Sequence, residues 1–574
     1  DGSNGLINIG GKSNVGIFLT RNNSKIDSDN GISNFKNLNL FLRGESVAGI
    51  SRQTATDSEN AKEMIIDSSI VQSIEFGADS KLSTFFKTTG GKLTIDSSMS
   101  EVFGLINAGA QNIIIEGTKN GIWDAKVVNN ADINVGSGAK ALTVMSTSRG
   151  ELENTGNIIN NSTNYTNEIN GGVFGSVSFM MFFPETSLKN TGNLDINGDN
   201  ATGIYNVGIV KSINDHISLT GNKGTIIYSR SAMAYDVNTG QYEWFPNVND
   251  ITSNRIELTG NMGTVFAASG TDFILTPAIS GGTLEITANG EETYGIYDTV
   301  SQKGASSFKI NGNVNMSVKN GGIALSYQGD GVEPTMMNAA EYVEALFDTT
   351  NGKININVDE ESYRFSFFGK SANLSGLSDL SNLSSKGITF TGSSKNRLTL
   401  GTLYIDIDSN LDKNNTIGNK TYRDMNLNLA NIDIAPNVTI SGTEDSLFGI
   451  AQNGVVLMNA YLMPIELTNK GTVSLTGNDN IGIFGKRATV SNSGNIEVTG
   501  DNGIGILGRA SKVINDGRIK IGNEGIGIYS ETYLASNDDP NFENNSSIEN
   551  SGSIIAEAGK NAIGIYSVIN SENG

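Results

Sequence analysis

A three-residue corner that returns every 23 residues constrains this chain more than any other property. Asn469-Lys470-Gly471, Asn492-Ser493-Gly494 and Asn515-Asp516-Gly517 follow one another at that 23-residue interval. Each introduces a short alternating segment: Val473 and Leu475, Ile496 and Val498, Ile519 and Ile521. A second box, Gly482-Ile483-Phe484, Gly505-Ile506-Leu507 and Gly527-Ile528-Tyr529, keeps nearly the same step, and Val490 and Val513 mark a third segment. Period-two alternation makes each segment a strand with one buried face. Three short strands in about 23 residues match one turn of a parallel β-helix, whose equivalent strands pair about 4.8 Å apart. The expected fold class is therefore all-β, a right-handed parallel β-helix with loop or short helical insertions. A propeller blade needs about 40 to 50 residues, and a leucine-rich repeat needs leucine at fixed positions, a pattern the chain lacks.

The Asn-x-Gly corner recurs at Asn154-Thr155-Gly156, Asn190-Thr191-Gly192 and Asn550-Ser551-Gly552. Asparagine and glycine both tolerate left-handed backbone geometry, and asparagine side chains stacked in register can bond one another, so these corners are expected to be structural. The Gly-Ile-aromatic box recurs at Gly16-Ile17-Phe18, Gly121-Ile122-Trp123, Gly203-Ile204-Tyr205, Gly295-Ile296-Tyr297 and Gly564-Ile565-Tyr566. Repeat units reach both ends of the sequence, which predicts one continuous helix over residues 1–574 cut from a longer chain. With insertions discounted, it would have about eighteen to twenty-two rungs and a length on the order of 90 to 100 Å.

Tandem units reading Asn-x-Gly-x-Ile-x-Val, Gly-(Asp/Asn)-Asn and Gly-Ile-Gly-Ile-Tyr resemble the passenger repeats of the large fusobacterial outer-membrane autotransporter adhesins, over about two thirds of the chain. The resemblance implies type V secretion through a C-terminal β-barrel absent from these residues, with that barrel as the link to the membrane. It also implies an extracellular passenger at the bacterial surface that attaches to host cells or other bacteria through protein or glycan receptors. Some members of that family act as galactose-type lectins or as ligands of immune receptors. The absence of cysteine fits such export, since a disulfide-closed loop threads poorly through a narrow pore.

Composition supports the same class. There are no cysteines, so packing and hydrogen bonding must hold the fold, as a long repeat with a continuous core allows. A net charge of -21 argues against nucleic acid or anionic lipid as the main partner. The most apolar window, Val177 to Phe183, is far too short for a membrane span, and Asp1 does not open a signal peptide.

Binding specificity on a β-helix is expected in segments that interrupt the rungs. Such insertions are read near 51–75, 157–188, 228–250, 328–348, 361–397 and 531–547. Within 328–348, Met336, Ala339, Ala340, Val343 and Phe347 predict a short amphipathic helix, and Leu374, Leu377, Leu380 and Leu383 predict one or two helical turns. The preferred recognition element runs from Tyr228 to Pro246 and carries Tyr235, Asp236, Tyr242, Trp244 and Phe245. Aromatic faces beside carboxylates and amides grip sugar rings and protein hot spots. Two readings stay open for Trp244 and Phe245, ligand contact or a hydrophobic lid. The same choice holds for Phe179, Phe182 and Phe183, which would mark an interface if left exposed.

Catalysis is not expected. Ser474, Glu497 and Lys520 occupy equivalent rung positions, a mixed column that predicts a cross-rung ion pair and no acidic pair of the glycosidase kind. His216 is the single histidine and reads as a surface strand residue. The Gly-Asp-Ser-Gly of serine-protease passengers is absent. Asp406-Ile407-Asp408-Ser409-Asn410-Leu411-Asp412 alternates oxygen donors but has leucine where a calcium loop needs glycine, so no metal or other cofactor is expected. Two rivals to the adhesin remain: a passive stalk whose binding tip lies elsewhere, and a glycan-degrading enzyme.

Overall fold

The computed structural model describes residues 5–20, 35–53, 63–77, 80, 83–88, 91–103, 110–115, 126–136, 143–147, 150–161, 172–176, 186–231, 233–236, 241–244, 247–299, 305–328, 335–368, 372–375, 380–392, 397–398, 404–407, 410–412, 431–453, 466–533, 546–556 and 560–570. It is mostly β, built from long parallel ladders. Two compact units emerge, the first comprising Asp1–Ala324, Leu346–Asn357 and Gly387–Thr391, the second Leu325–Ala345, Val358–Lys386 and Gly392–Gly574.

In the first unit, two ladders run side by side in sequence. One climbs from Met64–Ile66 through Lys92–Ile95, Lys126–Asn129, Gly150–Asn154, Thr186–Asn190, Ile209–Ile213 and Val248–Ser253 to Asp272–Pro277. The other climbs from Ile133–Val135 through Ile158–Asn160, Leu194–Asn197, His216–Thr220 and Arg255–Thr259 to Thr283–Asn289. They merge in the 13-residue strand Ser307–Lys319, whose first residues pair with Asp272–Leu275 and whose last pair with Thr283–Asn289. Gly312 stands between the two halves at φ 96, a left-handed conformation suited to glycine. A further ladder runs from Val15–Thr20 through Thr202–Asn206, Thr225–Arg230 and Thr264–Ser269 to Tyr294–Thr299.

One residue per strand points inward at each ladder position, and the same position recurs on the next strand, so the core forms in columns. Ile133, Ile158, Leu194, Ile217, Ile256, Ile286 and Met316 make one such column, every member at most 1% exposed. Burying each of these side chains stabilises by about 1.5–3 kcal/mol. Phe273 and Phe308 stack at 4.6 Å, and Phe266 meets both edge-on.

The second unit repeats the arrangement with three ladders. They end in Glu466–Asn469, Thr489–Asn492, Lys512–Asn515 and Ser547–Asn550; in Thr472–Leu475, Asn495–Val498, Arg518–Ile521 and Ser553–Ala556; and in Ile481–Lys486, Ile504–Arg509, Ile526–Tyr533 and Ile563–Asn570. Their inward columns meet in one cluster that includes Val490, Ile496, Ile506, Val513, Ile519 and Ile528.

The asparagine corners form hydrogen-bonded ladders. Asn469 Nδ2 donates to Asn492 Oδ1 at 2.7 Å, Asn492 to Asn515 at 2.7 Å and Asn515 to Asn550 at 2.6 Å. In the first unit the run begins at Asn129, which donates to Asn154 at 2.7 Å, and Asn154 donates to Asn190 at 2.8 Å. The corner glycines have a different reason from the one expected. Gly156, Gly192, Gly471, Gly494 and Gly517 are not at positive φ. A Cβ on Gly494 would lie 2.1 Å from the carbonyl oxygen of Gly471, and one on Gly517 equally close to that of Gly494. Close backbone approach, not handedness, demands glycine there. Left-handed geometry belongs to another corner, at Asn200, Lys223, Met262, Glu292 and Asn320 in the first unit and Asp479, Asn502, Glu524 and Asn561 in the second.

The insertions contain more regular structure than periodicity disclosed. Met64–Ile66 within 51–75 and Val71–Phe76 overlapping its end are ladder strands, as are Ile158–Asn160 and Gly172–Ser176 within 157–188 and Thr186–Asn190 overlapping its end. The helix expected over Met336–Phe347 is shorter, Ala339–Leu346, with Ala339, Tyr342, Val343 and Leu346 buried. Met336 lies in the strand Thr335–Asn338 and Phe347 begins the strand Phe347–Val358. Of the leucine series, Leu374 lies in a strand, Leu377 lies outside the described residues, and Leu380 and Leu383 are buried at and in the 3-10 turn Ser381–Lys386.

Outward positions carry charge ladders. Lys126 sits 3.2 Å from Glu151 and 3.5 Å from Glu153, and Lys189 Nζ lies 2.6 Å from Glu153 Oε1. The Lys189 hydrogen bond holds the Glu153 carboxyl below the usual carboxylate range, against the opposing pull of burial. A depressed folded-state pKa stabilises above the unfolded value and loses that stabilisation as pH falls through the folded one. Glu153→Gln should therefore be less stable than wild type by up to about 1 kcal/mol at neutral pH. Melting curves of the two proteins should converge as pH falls through the folded-state pKa of the Glu153 carboxyl. An offset that stays constant with pH would assign the loss to packing.

Candidate functional site

The strand Thr225–Arg230 joins its ladder one strand after Thr202–Asn206, with Tyr228 beside Tyr205. The two rings stack at 5.0 Å with planes 9° apart. Burial, reinforced by its tyrosine neighbour and opposed by Arg230, pushes the Tyr205 hydroxyl's pKa up. The next strand puts Ala267 beside Tyr228, and the one after it puts Tyr297 beside Ala267.

After Arg230 the chain leaves the ladder. Met233–Asp236 and Gln241–Trp244 pair antiparallel against an otherwise parallel background, in the register Met233 to Trp244, Ala234 to Glu243, Tyr235 to Tyr242 and Asp236 to Gln241. The register thus brings together Tyr235, Asp236, Tyr242 and Trp244, four of the residues singled out from the sequence. The Trp244 side chain is partly buried. Phe245, Phe179, Phe182 and Phe183 lie outside the described residues. The chain rejoins the parallel ladders at Val248–Ser253.

The two feet of this antiparallel ribbon are hydrogen-bonded to each other, and the second foot is also held by a buried asparagine of the preceding strand. Asn206 Nδ2 donates to Asn247 Oδ1 at 2.9 Å and to Asn249 Oδ1 at 2.8 Å. Ser229 Oγ donates to Asn247 Oδ1 at 3.0 Å and receives Asn249 Nδ2 at 2.9 Å, while Asn247 Nδ2 bonds the Arg230 carbonyl. All four polar residues are at most 1% exposed. Asn249 stands between Val210 and Phe273 in an otherwise apolar column. A polar side chain in such a column is costly unless bonded, so the network fixes where the ribbon leaves and re-enters. Sequence reasoning missed Asn206, Asn247 and Asn249; the available signal was asparagine on both sides of an aromatic insertion.

The remaining candidates lie apart. His216 Nε2 is 2.9 Å from Asp195 Oδ1, and Ser218 Oγ donates to the same oxygen at 2.7 Å. With the carboxylate between them, imidazole and hydroxyl are not arranged as base and nucleophile. Ser474, Glu497 and Lys520 share one register position. Asp406 is a strand residue in register with Asp433, and 408–409 lie outside the described residues. No helix among the described residues is long and apolar enough to cross a membrane. No protein-family model, curated protein or solved structure matches this chain.

Proposed function

We propose that this chain is a segment of a bacterial surface adhesin that binds a host-cell or bacterial receptor, glycan or protein, through the Met233–Trp244 ribbon. The observation that carries the reading is the pinned ribbon: an antiparallel pair bearing Tyr235, Tyr242 and Trp244, set on a buried asparagine and serine base. A backbone ribbon held at its feet loses less conformational freedom on binding than a free loop, which favours it as a recognition element. Each unit is read as a right-handed parallel β-helix. Three strands per repeat pair with their equivalents one repeat on, and parallel crossovers of this kind are right-handed in about 98% of cases.

The test is binding of the purified chain to a glycan array and to host-cell surfaces, with Tyr242→Ala plus Trp244→Ala as the comparison. Wild type should bind, and the double variant should bind at least about tenfold more weakly while keeping its β-rich circular dichroism. Undiminished binding by the variant would move recognition away from the ribbon. Absence of binding by wild type would favour the passive-stalk reading.

A further inference from the structure

One register position in the first unit is aromatic on both sides of a gap. Along the ladder Thr202–Asn206, Thr225–Arg230, Thr264–Ser269 and Tyr294–Thr299, it holds Tyr205, Tyr228, Ala267 and Tyr297 in turn. Each of these residues is partly exposed, so the column faces outward. The stacked Tyr205 and Tyr228 rings, 5.0 Å apart, show the spacing that the ladder imposes on rings in this column. Ala267 then omits one ring. Tyr228 and Tyr297 stand two strand spacings apart, about 9.6 Å, with a methyl group as the column's only side chain between them.

That interval is one ring wide. A ring laid on Ala267 would face Tyr228 on one side and Tyr297 on the other, at the kind of separation that Tyr205 and Tyr228 already keep. Both walls are braced from behind: Tyr205 stacks on the far face of Tyr228, and Tyr294 meets Tyr297 edge-on at 5.3 Å with planes 72° apart. Around the slot the chemistry turns polar. Thr264 and Ser269 are the other residues of the Ala267 strand that reach solvent, and exposed Arg230 pairs in register with Ser269.

Two aromatic walls with hydroxyl and guanidinium donors at the rim match a ligand with apolar faces and a polar circumference. A pyranose with every substituent equatorial has that form: axial C–H bonds cover both faces, and hydroxyls project around the edge. A flat arene is thinner than a puckered ring and would leave the rim donors unused, which argues against an aromatic side chain as the occupant.

We propose that Tyr228, Ala267 and Tyr297 form a slot for one all-equatorial pyranose residue of a glycan, gripped on both faces by the two tyrosines. The slot uses no residue of the Met233–Trp244 ribbon, so it is a second site on the same unit and does not depend on recognition by the ribbon.

The test is ligand-observed NMR titration of the full chain with methyl β-D-glucopyranoside, its epimer methyl β-D-galactopyranoside, and p-cresol as a flat arene. The glucoside should bind, the galactoside more weakly because its axial hydroxyl occupies one face, and p-cresol most weakly. Ala267→Tyr should lower glucoside affinity at least about tenfold by supplying the missing ring from the protein, and should melt no lower than wild type because it extends an existing stack. Tyr297→Leu, which keeps the bulk of that wall and removes its arene, should weaken binding at least about threefold. Tyr242→Ala plus Trp244→Ala should leave glucoside affinity unchanged, which separates this site from the ribbon. No binding of the glucoside by wild type, tighter binding of the epimer or of p-cresol, undiminished binding by Ala267→Tyr, a lowered melting temperature in that variant, or loss of glucoside binding in the ribbon variant would each overturn the proposal.

Discussion

Gly494→Ala should destabilise the second unit by on the order of 3 kcal/mol or more. The added methyl carbon would stand 2.1 Å from the Gly471 carbonyl oxygen and 2.7 Å from the Lys470 carbonyl carbon, both backbone atoms. Neither can retreat easily. Gly494 N–H bonds the Asn469 carbonyl at 3.1 Å, Asn495 N–H bonds the Gly471 carbonyl at 2.8 Å, and the Asn469 to Asn492 bond ties the same two corners together. Gly564→Ala is the control, since a Cβ there meets nothing within 4 Å, and it should change stability by less than about 0.5 kcal/mol. Parallel ladders can open locally, so hydrogen exchange of the Thr472–Leu475 and Asn495–Val498 amides is a better reading than a single melting point. Equal protection in Gly494→Ala and Gly564→Ala would refute the steric account of the corner.

Asn492→Leu should cost roughly 2–5 kcal/mol, with a different cause. Asn492 is both acceptor and donor in the ladder, taking Asn469 Nδ2 and giving to Asn515 Oδ1, each at 2.7 Å. Replacing it leaves an amide donor on one side and an amide acceptor on the other without their best partners, at about 1–3 kcal/mol for each buried group. Asn469→Leu together with Asn492→Leu should cost less than the two singles added, because the first change has already broken the bond they share. Additive losses, or a single-variant loss below about 1 kcal/mol, would mean that packing alone holds the corner.

Much of the second unit was readable because its repeat is nearly uninterrupted. The 23-residue step, the alternating valines and isoleucines and the Asn-x-Gly corners all report one geometry. Where the step varies, reading failed for identifiable reasons. The corner at Asn129-Asn130-Ala131 has alanine in place of glycine, yet Asn129 joins the ladder and also donates to its own Ala131 carbonyl at 2.7 Å. Apolar spacing over Met336–Phe347 overstates the helix, because it does not separate the end of the strand Thr335–Asn338 from the start of the helix Ala339–Leu346. The short helical stretch from Ser97 to Phe103 has little sequence signal beyond Asp96, whose side chain accepts the Ser98 N–H, a cap too common to stand out.

The candidate site was legible only as composition. Aromatic residues between Tyr228 and Pro246 mark an unusual segment, but their pairing is set by an antiparallel register that nothing in the 23-residue period encodes. The base is subtler still. Asn249 occupies a position where its column neighbours are Val210 and Phe273, and only the fold brings Asn206 and Ser229 to it.

Tyr228 is matched to Tyr205 on one side and to Ala267 on the other, one residue to one residue, although the ribbon intervenes in the chain only on the second side. Neighbouring strands therefore register nothing of how much polypeptide lies between them. Such a junction is a natural graft point: what grows from it can be lengthened, exchanged or removed while the stack beneath keeps its alignment. Ribbon and frame are thus separable: a change of length in the one leaves the residue-to-residue match of the other as it is.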